Sequence, residues 1–168
     1  MTENMAIQLH PMTDQDYAWL LDAAPRGDGL CLCDGGIAPD AVTAMLRGIT
    51  AGLAENDERP LAWLIADGDE VVGMISFTRR ESDGRYEVGY GVAPAHEARG
   101  VMTAAIAALL PILRADGHRG LTAATGVDNP GSRRVLEKNG FSAQGTREDP
   151  EDGPLHLWAI DLTTDGRP

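Results

Sequence analysis

Residues 86–141 contain three groups of side chains that could do chemistry. Glu87 supplies a carboxylate within a segment typical of a β-strand. Arg99 and Gly100 stand at the predicted start of a helix, where free backbone N–H groups and the helix dipole favour a bound phosphate. A second short helix begins near Asn129 and Ser132, which are small and polar. Together these groups predict a catalytic site for a phosphate-bearing compound.

The strand that carries Glu87 covers residues 86–92, and its side chains alternate between two faces of a sheet. Tyr86, Val88, Tyr90 and Val92 share one face, while Glu87, Gly89 and Gly91 share the other. The second face has almost no bulk, which leaves room for a ligand beside the carboxylate, and its glycines suit a close approach or a bulge. Glu87 is therefore the candidate base. A solvent-facing carboxylate on a sheet is the alternative of equal weight.

Residues 97–103 form the predicted phosphate-binding turn. Gly100 lets the backbone approach an oxygen closely, and Arg99 adds a mobile positive charge. Taken alone, these two residues would favour an ordinary helix start over a phosphate site. The helix that follows is predicted over 100–116, with a kink or an early break at Pro111.

The second helix has clear signals at both ends. Asn129 suits the N-cap and Pro130 the first helical position. Gly140 suits a left-handed stop, and Phe141 can pack back on the last turn.

The remaining pattern predicts one domain over 1–168, with a frayed tail at 163–168. The predicted strands are 6–10, 61–66, 70–79, 86–92, 120–125, 141–146 and 155–162. Helices are also expected from Asp14, with Thr13 as its cap, and over 40–56, with a loop at 25–39. Two short turns, at Asp67-Gly68 and Asp83-Gly84, make the first part of the sheet antiparallel. The helix between 86–92 and 120–125 makes those strands parallel. The fold class is therefore α+β, with a mixed sheet flanked by helices.

Charge and composition restrict the partners. The chain of 168 residues has 14 basic and 26 acidic residues, a formal net charge of −12. Such a field repels nucleic acid and anionic membranes and attracts cations. Cys31 and Cys33 lack the further ligands of a metal site, so no metal is expected. The sequence shows no signal peptide and no apolar run long enough to span a bilayer, and we expect a cytoplasmic protein.

The segment Glu97-Ala98-Arg99-Gly100-Val101-Met102 resembles the Gln/Arg-x-x-Gly-x-Gly/Ala turn of the GNAT superfamily of N-acetyltransferases. Glu97 and Met102 depart from that pattern. The resemblance extends over nearly the whole chain and implies a GNAT-like sheet. It also implies that backbone groups hold the pyrophosphate of acetyl-coenzyme A. The implied cofactor-binding residues are Val92, Arg99, Gly100, Val101, Met102, Thr103, Asn129 and Ser132.

The segment from Ser132 to Phe141 is similar to the branch that acetylates the N-termini of ribosomal proteins. Leu136 stands where other branches carry a tyrosine acid, which excludes that donor. The resemblance implies Ser132 as the acid for the departing thiolate and Glu87 as the base, acting directly or through water.

The implied reaction transfers acetyl from acetyl-coenzyme A directly to a primary amine in a ternary complex. The acceptor is a protein N-terminus or a small cationic amine. Alternatives are a small-molecule or antibiotic acetyltransferase and a non-catalytic coenzyme A sensor of the same fold. The family's acceptor cleft lies near the predicted acidic loop of Glu148, Asp149, Glu151 and Asp152, with His156 beyond it. A monomer or homodimer is expected.

Overall fold

A single mixed sheet supports the residues singled out above. The computed structural model describes residues 5–22 and 26–163. Its strands are β1 (Ile7–Pro11), β2 (Cys31–Leu32), β3 (Ala62–Asp67), β4 (Glu70–Arg80), β5 (Tyr86–Val92), β6 (Gly120–Gly126), β7 (Ser142–Asp149) and β8 (Gly153–Asp161). The helices are α1 (Asp14–Asp22), α2 (Asp40–Ala54), α3 (Val101–Ala115) and α4 (Pro130–Lys138), with a 3₁₀ turn at Pro94–His96.

The strands pair in the order β1-β3-β4-β5-β6-β8-β7, and β2 pairs with β4. Strands β5 and β6 run parallel, as predicted from the intervening helix, and the other pairs along this path are antiparallel. The fold class is therefore confirmed. Strand β2, which pairs parallel with β4, lies inside the stretch predicted as loop. It was not predicted because two residues are too few to give an alternating pattern.

The core lies on the central strands. Strand β3 is buried from Ala62 to Ala66, and β4 is buried from Val71 to Phe77. Among the largest fully buried side chains are Trp63 and Phe77 of these strands and Ile106 and Leu109 of α3. Burial of apolar side chains on this scale is the main driving force for the fold.

Helix α3 continues through Pro111 to Ala115, so the predicted early break is wrong. Proline removes the donor for the carbonyl four residues earlier, that of Ala107. Both Pro111 and Ala107 are exposed, which leaves that carbonyl on the solvent side of the helix.

Helix α4 has the predicted boundaries. Asn129 caps its start, and Gly140 has a left-handed φ of 86°. The Phe141 N–H donates to the carbonyl of Leu136, and the Gly140 N–H donates to that of Glu137. These two bonds form a Schellman motif, which satisfies the last carbonyls of the helix.

The final hairpin is longer than predicted. Strand β7 pairs with β8 as far as Asp149 opposite Gly153, so Glu148 and Asp149 belong to a strand and not to a loop. Only Pro150, Glu151 and Asp152 connect the two strands. Most of the predicted tail, 164–168, lies outside the described residues. In the part of the chain that the structure describes, no helix is long and apolar enough to cross a bilayer.

Candidate functional site

The site lies where β5 and β6 separate. The two strands pair only at Tyr86 with Leu121 and at Glu87 with Thr122. Strand β5 continues to Val92 and β6 to Gly126 without further pairing between them. Backbone groups on the facing edges of both strands are therefore available to a ligand within the sheet.

The first cavity, of about 650 Å³, lies between β5, the start of α3 and α4. Its ionisable lining residues, apart from Tyr90, are His96, Glu97, Arg134 and Lys138. Two permanent cations against one carboxylate make this cavity locally positive within an acidic protein. We call it the cofactor cavity, because seven of the eight residues that the resemblance implies for cofactor binding line it. Its other lining residues are Tyr90, Gly91, Val92, Ala98, Gly100, Val101, Met102, Thr103, Asn129, Gly131, Ser132 and Val135.

The predicted phosphate-binding turn forms one wall of the cofactor cavity. Gly100 is the N-cap of α3 with a φ of 80°, a left-handed conformation that suits glycine. Its carbonyl accepts the first helical bond, from Ala104 N–H at 3.0 Å. The N–H groups of the three residues between them have no partner four residues back in the helix. Residues 101–103, whose backbone the resemblance assigns to the pyrophosphate, line this cavity.

Arg99 and Met102, which the resemblance implies as cofactor-binding residues, differ in their surroundings. Arg99 is exposed and is not among the residues that line the cavity. Met102 is 7% exposed and belongs to the hydrophobic core, although it lies along the wall of the cavity. Core packing therefore accommodates the bulk that replaces the family's Gly or Ala.

Residues of α4 form the opposite wall. Asn129 Oδ1 accepts a hydrogen bond from the Ser132 N–H at 3.1 Å, which fixes the first turn. The Ser132 hydroxyl lies 2.7 Å from the hydroxyl of Tyr90 on β5. Leu136 is fully buried and does not line the cavity.

The backbone of β5 supplies a further donor. The Ala93 N–H donates to the carbonyl of Val72 at 2.7 Å, so it points toward β4. Backbone N–H groups alternate in direction along an extended strand. The Val92 N–H therefore points to the other edge, toward the separation between β5 and β6.

The second cavity, of about 720 Å³, contains Glu87. Its ionisable lining residues are Glu87, Asp128, Arg147, Asp149 and Asp152. Four carboxylates against one guanidinium make it acidic, and we call it the acidic cavity. The remaining lining residues are Thr78, Val88, Gly89, Ala124, Gly126, Val127, Asn129, Pro154 and Leu155, of which Asn129 also lines the cofactor cavity.

Glu87 is held by two neighbours on β4. The Thr78 hydroxyl donates to Glu87 Oε1 at 2.7 Å, and Arg79 Nη2 lies 3.4 Å from Oε2. Pairing between β4 and β5 shifts by one residue between Phe77 and Arg79, and Thr78 is the additional residue. The bulge therefore lies in β4 and not at the glycines of β5, and it directs Thr78 onto Glu87. The predicted close approach does occur at Gly89, where an added Cβ atom would lie 3.1 Å from Thr78 Cγ2.

Asp149 stabilises the turn between β7 and β8. Asp149 accepts hydrogen bonds from the N–H groups of Asp152 and Glu151, and these bonds lower the pKa of Asp149. Asp149 and Asp152 line the acidic cavity, whereas Glu148, Glu151 and His156 do not. The predicted cluster is thus divided between cavity and solvent.

Sequence patterns did not identify four residues of the site. Alternation places Tyr90 on the same face of its strand as Tyr86 without giving it a role, and Thr78 is brought to Glu87 by an irregularity with no sequence signal. Arg134 and Lys138 lie four residues apart on α4 and share a face of the helix. That spacing, counted from the N-cap, is the signal that could have revealed them.

Comparisons with known proteins agree with this geometry. A sequence model of the family described as Acetyltransferase (GNAT) domain matches residues 7–142. A curated relative, the ribosomal-protein-serine acetyltransferase of Escherichia coli (strain K12), is 34% identical over 85 residues. That match covers 49% of this chain and 48% of the relative, so it extends over about half of each protein.

Two solved structures show the same fold at low sequence identity. Mycobacterium smegmatis RimJ in complex with CoA-disulfide has 20% identity and a TM-score of 0.65, with 96% of this chain and 84% of that chain covered. A mutant of the spermidine N-acetyltransferase SpeG from Vibrio cholerae has 13% identity and a TM-score of 0.66, with 94% of each chain covered.

Proposed function

This chain belongs to the GNAT acetyltransferase family, and we propose that it transfers the acetyl group of acetyl-coenzyme A to a primary amine. The proposed acceptor is the α-amino group of a protein N-terminus. The curated relative, whose name gives a ribosomal-protein acceptor, supports this choice over the matched half of the chain.

The observation that carries the proposal is the opposite charge of two cavities that share Asn129. Coenzyme A is an anion because of its phosphates, and an amine at neutral pH is a cation. The cofactor cavity with Arg134 and Lys138 suits the first, and the acidic cavity with Glu87 suits the second. The separation between β5 and β6 lies beside both, where the thioester and the amine would meet.

On the cofactor side, the pyrophosphate would rest against the backbone N–H groups at the start of α3. Gly100 allows the close approach, and Arg134 and Lys138 add positive charge from α4. Arg99 is proposed only as a mobile charge at the rim, in line with its exposure. The coenzyme A found with a structural neighbour supports this cofactor.

On the acceptor side, the ammonium must lose a proton before its nitrogen can attack the thioester carbonyl. Glu87 is the proposed base, directly or through water, because it lines the acidic cavity and because Thr78 holds its carboxylate. The Val92 N–H would donate to the carbonyl oxygen as negative charge develops on it. Ser132 would then donate to the departing sulfur.

Direct transfer is proposed because neither cysteine lines either cavity among the residues described. Cys31 is exposed and distant in sequence from every lining residue, and Cys33 is buried with a pKa raised by that burial. A raised pKa disfavours the thiolate needed for an acyl-enzyme.

A small cationic amine is the second candidate acceptor. Four carboxylates around one cavity also suit a polyamine, and the fold is shared with a spermidine acetyltransferase.

A ribosomal-protein acceptor would place the reaction in the cytoplasm, where ribosomes work.

Two measurements test the proposal. Calorimetric titration with acetyl-coenzyme A should give saturable binding. Release of free thiol should then depend on an added amine, compared between peptides with a free N-terminus, the same peptides with blocked N-termini, and spermidine. Turnover with free N-terminal peptides alone supports the proposal. Turnover with spermidine alone would show that the acceptor is a small cationic amine and not a protein N-terminus. Binding without turnover on any amine would leave a coenzyme A sensor.

A further inference from the structure

Tyr90 and Ser132 form a hydroxyl pair that links β5 to α4. Their oxygens are 2.7 Å apart, and both residues line the cofactor cavity. Tyr90 projects from the face of β5 opposite to Glu87, because an odd number of positions separates the two on an alternating strand. The pair therefore lies on the opposite face of the sheet from the proposed base.

Either hydroxyl of the pair could be the donor, and the distances allow donation from the phenol to Oγ. The Ser132 carbonyl is 3.4 Å from the Tyr90 oxygen and lies in the first turn of α4, where it accepts the regular helical bond. Ser132 Oγ, at 2.7 Å, is at the usual distance for a strong O–H···O bond. Donation from the phenol to Oγ leaves the Ser132 hydrogen free to point into the cofactor cavity.

We infer that Tyr90 is a positioning residue for Ser132: its phenol donates to Oγ, so that the Ser132 O–H is directed at the sulfur of coenzyme A. This inference rests on the proposed function. When the neutral amine nitrogen bonds to the carbonyl carbon, its extra proton passes to water, the C–S bond breaks and sulfur keeps the electron pair. The Ser132 proton moves to sulfur, the phenol proton moves to Oγ, and water returns a proton to Tyr90.

The environment of Tyr90 keeps its phenol protonated before the transfer begins. Burial raises the pKa of the Tyr90 phenol. The phenol therefore keeps its proton over the neutral range. A hydrogen bond accepted by Oγ also strengthens the bond that the same hydroxyl donates.

A matched pair elsewhere in the chain provides the control. The hydroxyls of Tyr17 on α1 and Thr50 on α2 are also 2.7 Å apart, and burial raises the pKa of Tyr17 as well. Neither residue lines the cofactor cavity. Tyr17→Phe therefore removes a comparable buried hydroxyl without touching the site.

The test is the thiol pKa of bound coenzyme A, followed by the ultraviolet absorbance of the thiolate as pH is raised, at saturating protein. It requires no acceptor amine. A donor aimed at sulfur stabilises the thiolate, so Ser132→Ala should raise that pKa by about one unit. Tyr90→Phe should raise it by roughly half a unit, and the double variant should match Ser132→Ala because both act through one bond. Tyr17→Phe should leave it unchanged.

The other outcomes are distinct. A Tyr90→Phe titration identical to that of the unaltered protein overturns the inference and leaves the proposed function intact. A larger effect of Tyr90→Phe than of Ser132→Ala also overturns it, because the phenol would then contact sulfur itself. If coenzyme A does not bind the unaltered protein, the proposed function fails and the inference fails with it. Thermal unfolding of each variant separates these results from loss of fold.

Discussion

Thr78 Oγ1 lies 2.7 Å from Glu87 Oε1, and the hydroxyl reaches the carboxylate because β4 has one additional residue at this point of its pairing with β5. The side chain that orients the proposed base therefore comes from an irregularity in the neighbouring strand. Thr78→Val keeps the shape and removes the donor. We expect kcat/KM to fall about tenfold, equivalent to about 1.4 kcal/mol, with recovery in Thr78→Ser. Equal rates for the threonine and valine proteins would remove Thr78 from the mechanism.

Glu87→Gln tests the base itself. Loss of the proton acceptor should lower kcat by about 10²- to 10⁴-fold, most clearly at neutral pH, where the amine is protonated. Glu81→Gln is the matched control, because Glu81 also pairs with Arg79 and lies outside both cavities. The measurement is the pH–rate profile of all three proteins. A profile of Glu87→Gln that is unchanged in height and shape would exclude Glu87 as the base.

Gly100→Ala tests the pyrophosphate wall. Alanine disfavours the left-handed φ of 80° by about 1 kcal/mol, and the added methyl group would displace backbone donors from the proposed phosphate site. We expect the KM for acetyl-coenzyme A to rise roughly tenfold. Gly117→Ala is the control at the other end of α3, with a φ of 85°. Similar losses of stability but equal KM values for the two variants would contradict the assignment.

Arg134→Gln tests the positive charge of the cofactor cavity. In the proposed binding mode, removal of this cation should raise the Kd of coenzyme A about three- to tenfold at low salt, and the difference should shrink as salt is added. Arg133→Gln changes the net charge of the protein equally but alters a residue outside the cavity lining. Isothermal titration of both variants distinguishes a local contact from the overall field. If both variants bind coenzyme A more weakly by the same factor, the net charge of the protein and not a contact from Arg134 would explain the effect.

His118 should make the stability of the fold depend on pH. It is 3% exposed and packs edge-to-face against Phe77 and Tyr86. Burial lowers the pKa of His118, whereas in the unfolded chain it titrates near about 6.5. Below that pH the unfolded state binds a proton that the folded state does not, so the free energy of unfolding decreases as pH falls toward the folded pKa.

His118→Phe keeps an aromatic ring in this position and removes the titration. Denaturant unfolding of both proteins at several pH values should show a smaller loss below about pH 6.5 in the variant. Parallel curves across that range would show that His118 does not contribute to the pH dependence.

Features that depend on neighbours within a few residues could be predicted from the sequence. The Asn129 cap and the Gly140 stop each follow from local backbone requirements, and both occur at the predicted positions. Alternation in β5 likewise predicted that Glu87 and Tyr86 face opposite sides of the sheet. The long β7–β8 hairpin was underestimated because its pairing, not its composition, extends the strands as far as Asp149.

By itself, the sequence determined the family resemblance, the fold class, the start of α3 as a candidate phosphate-binding turn, and the face of β5 that carries Glu87. These depend on short-range periodicity and capping. Only the tertiary structure decided that β5 and β6 separate after two residue pairs, that Thr78 reaches Glu87, and that Tyr90 meets Ser132 across 42 positions of the chain. The physical reason is that strand register and helix docking are fixed by packing between distant segments, which no local pattern encodes.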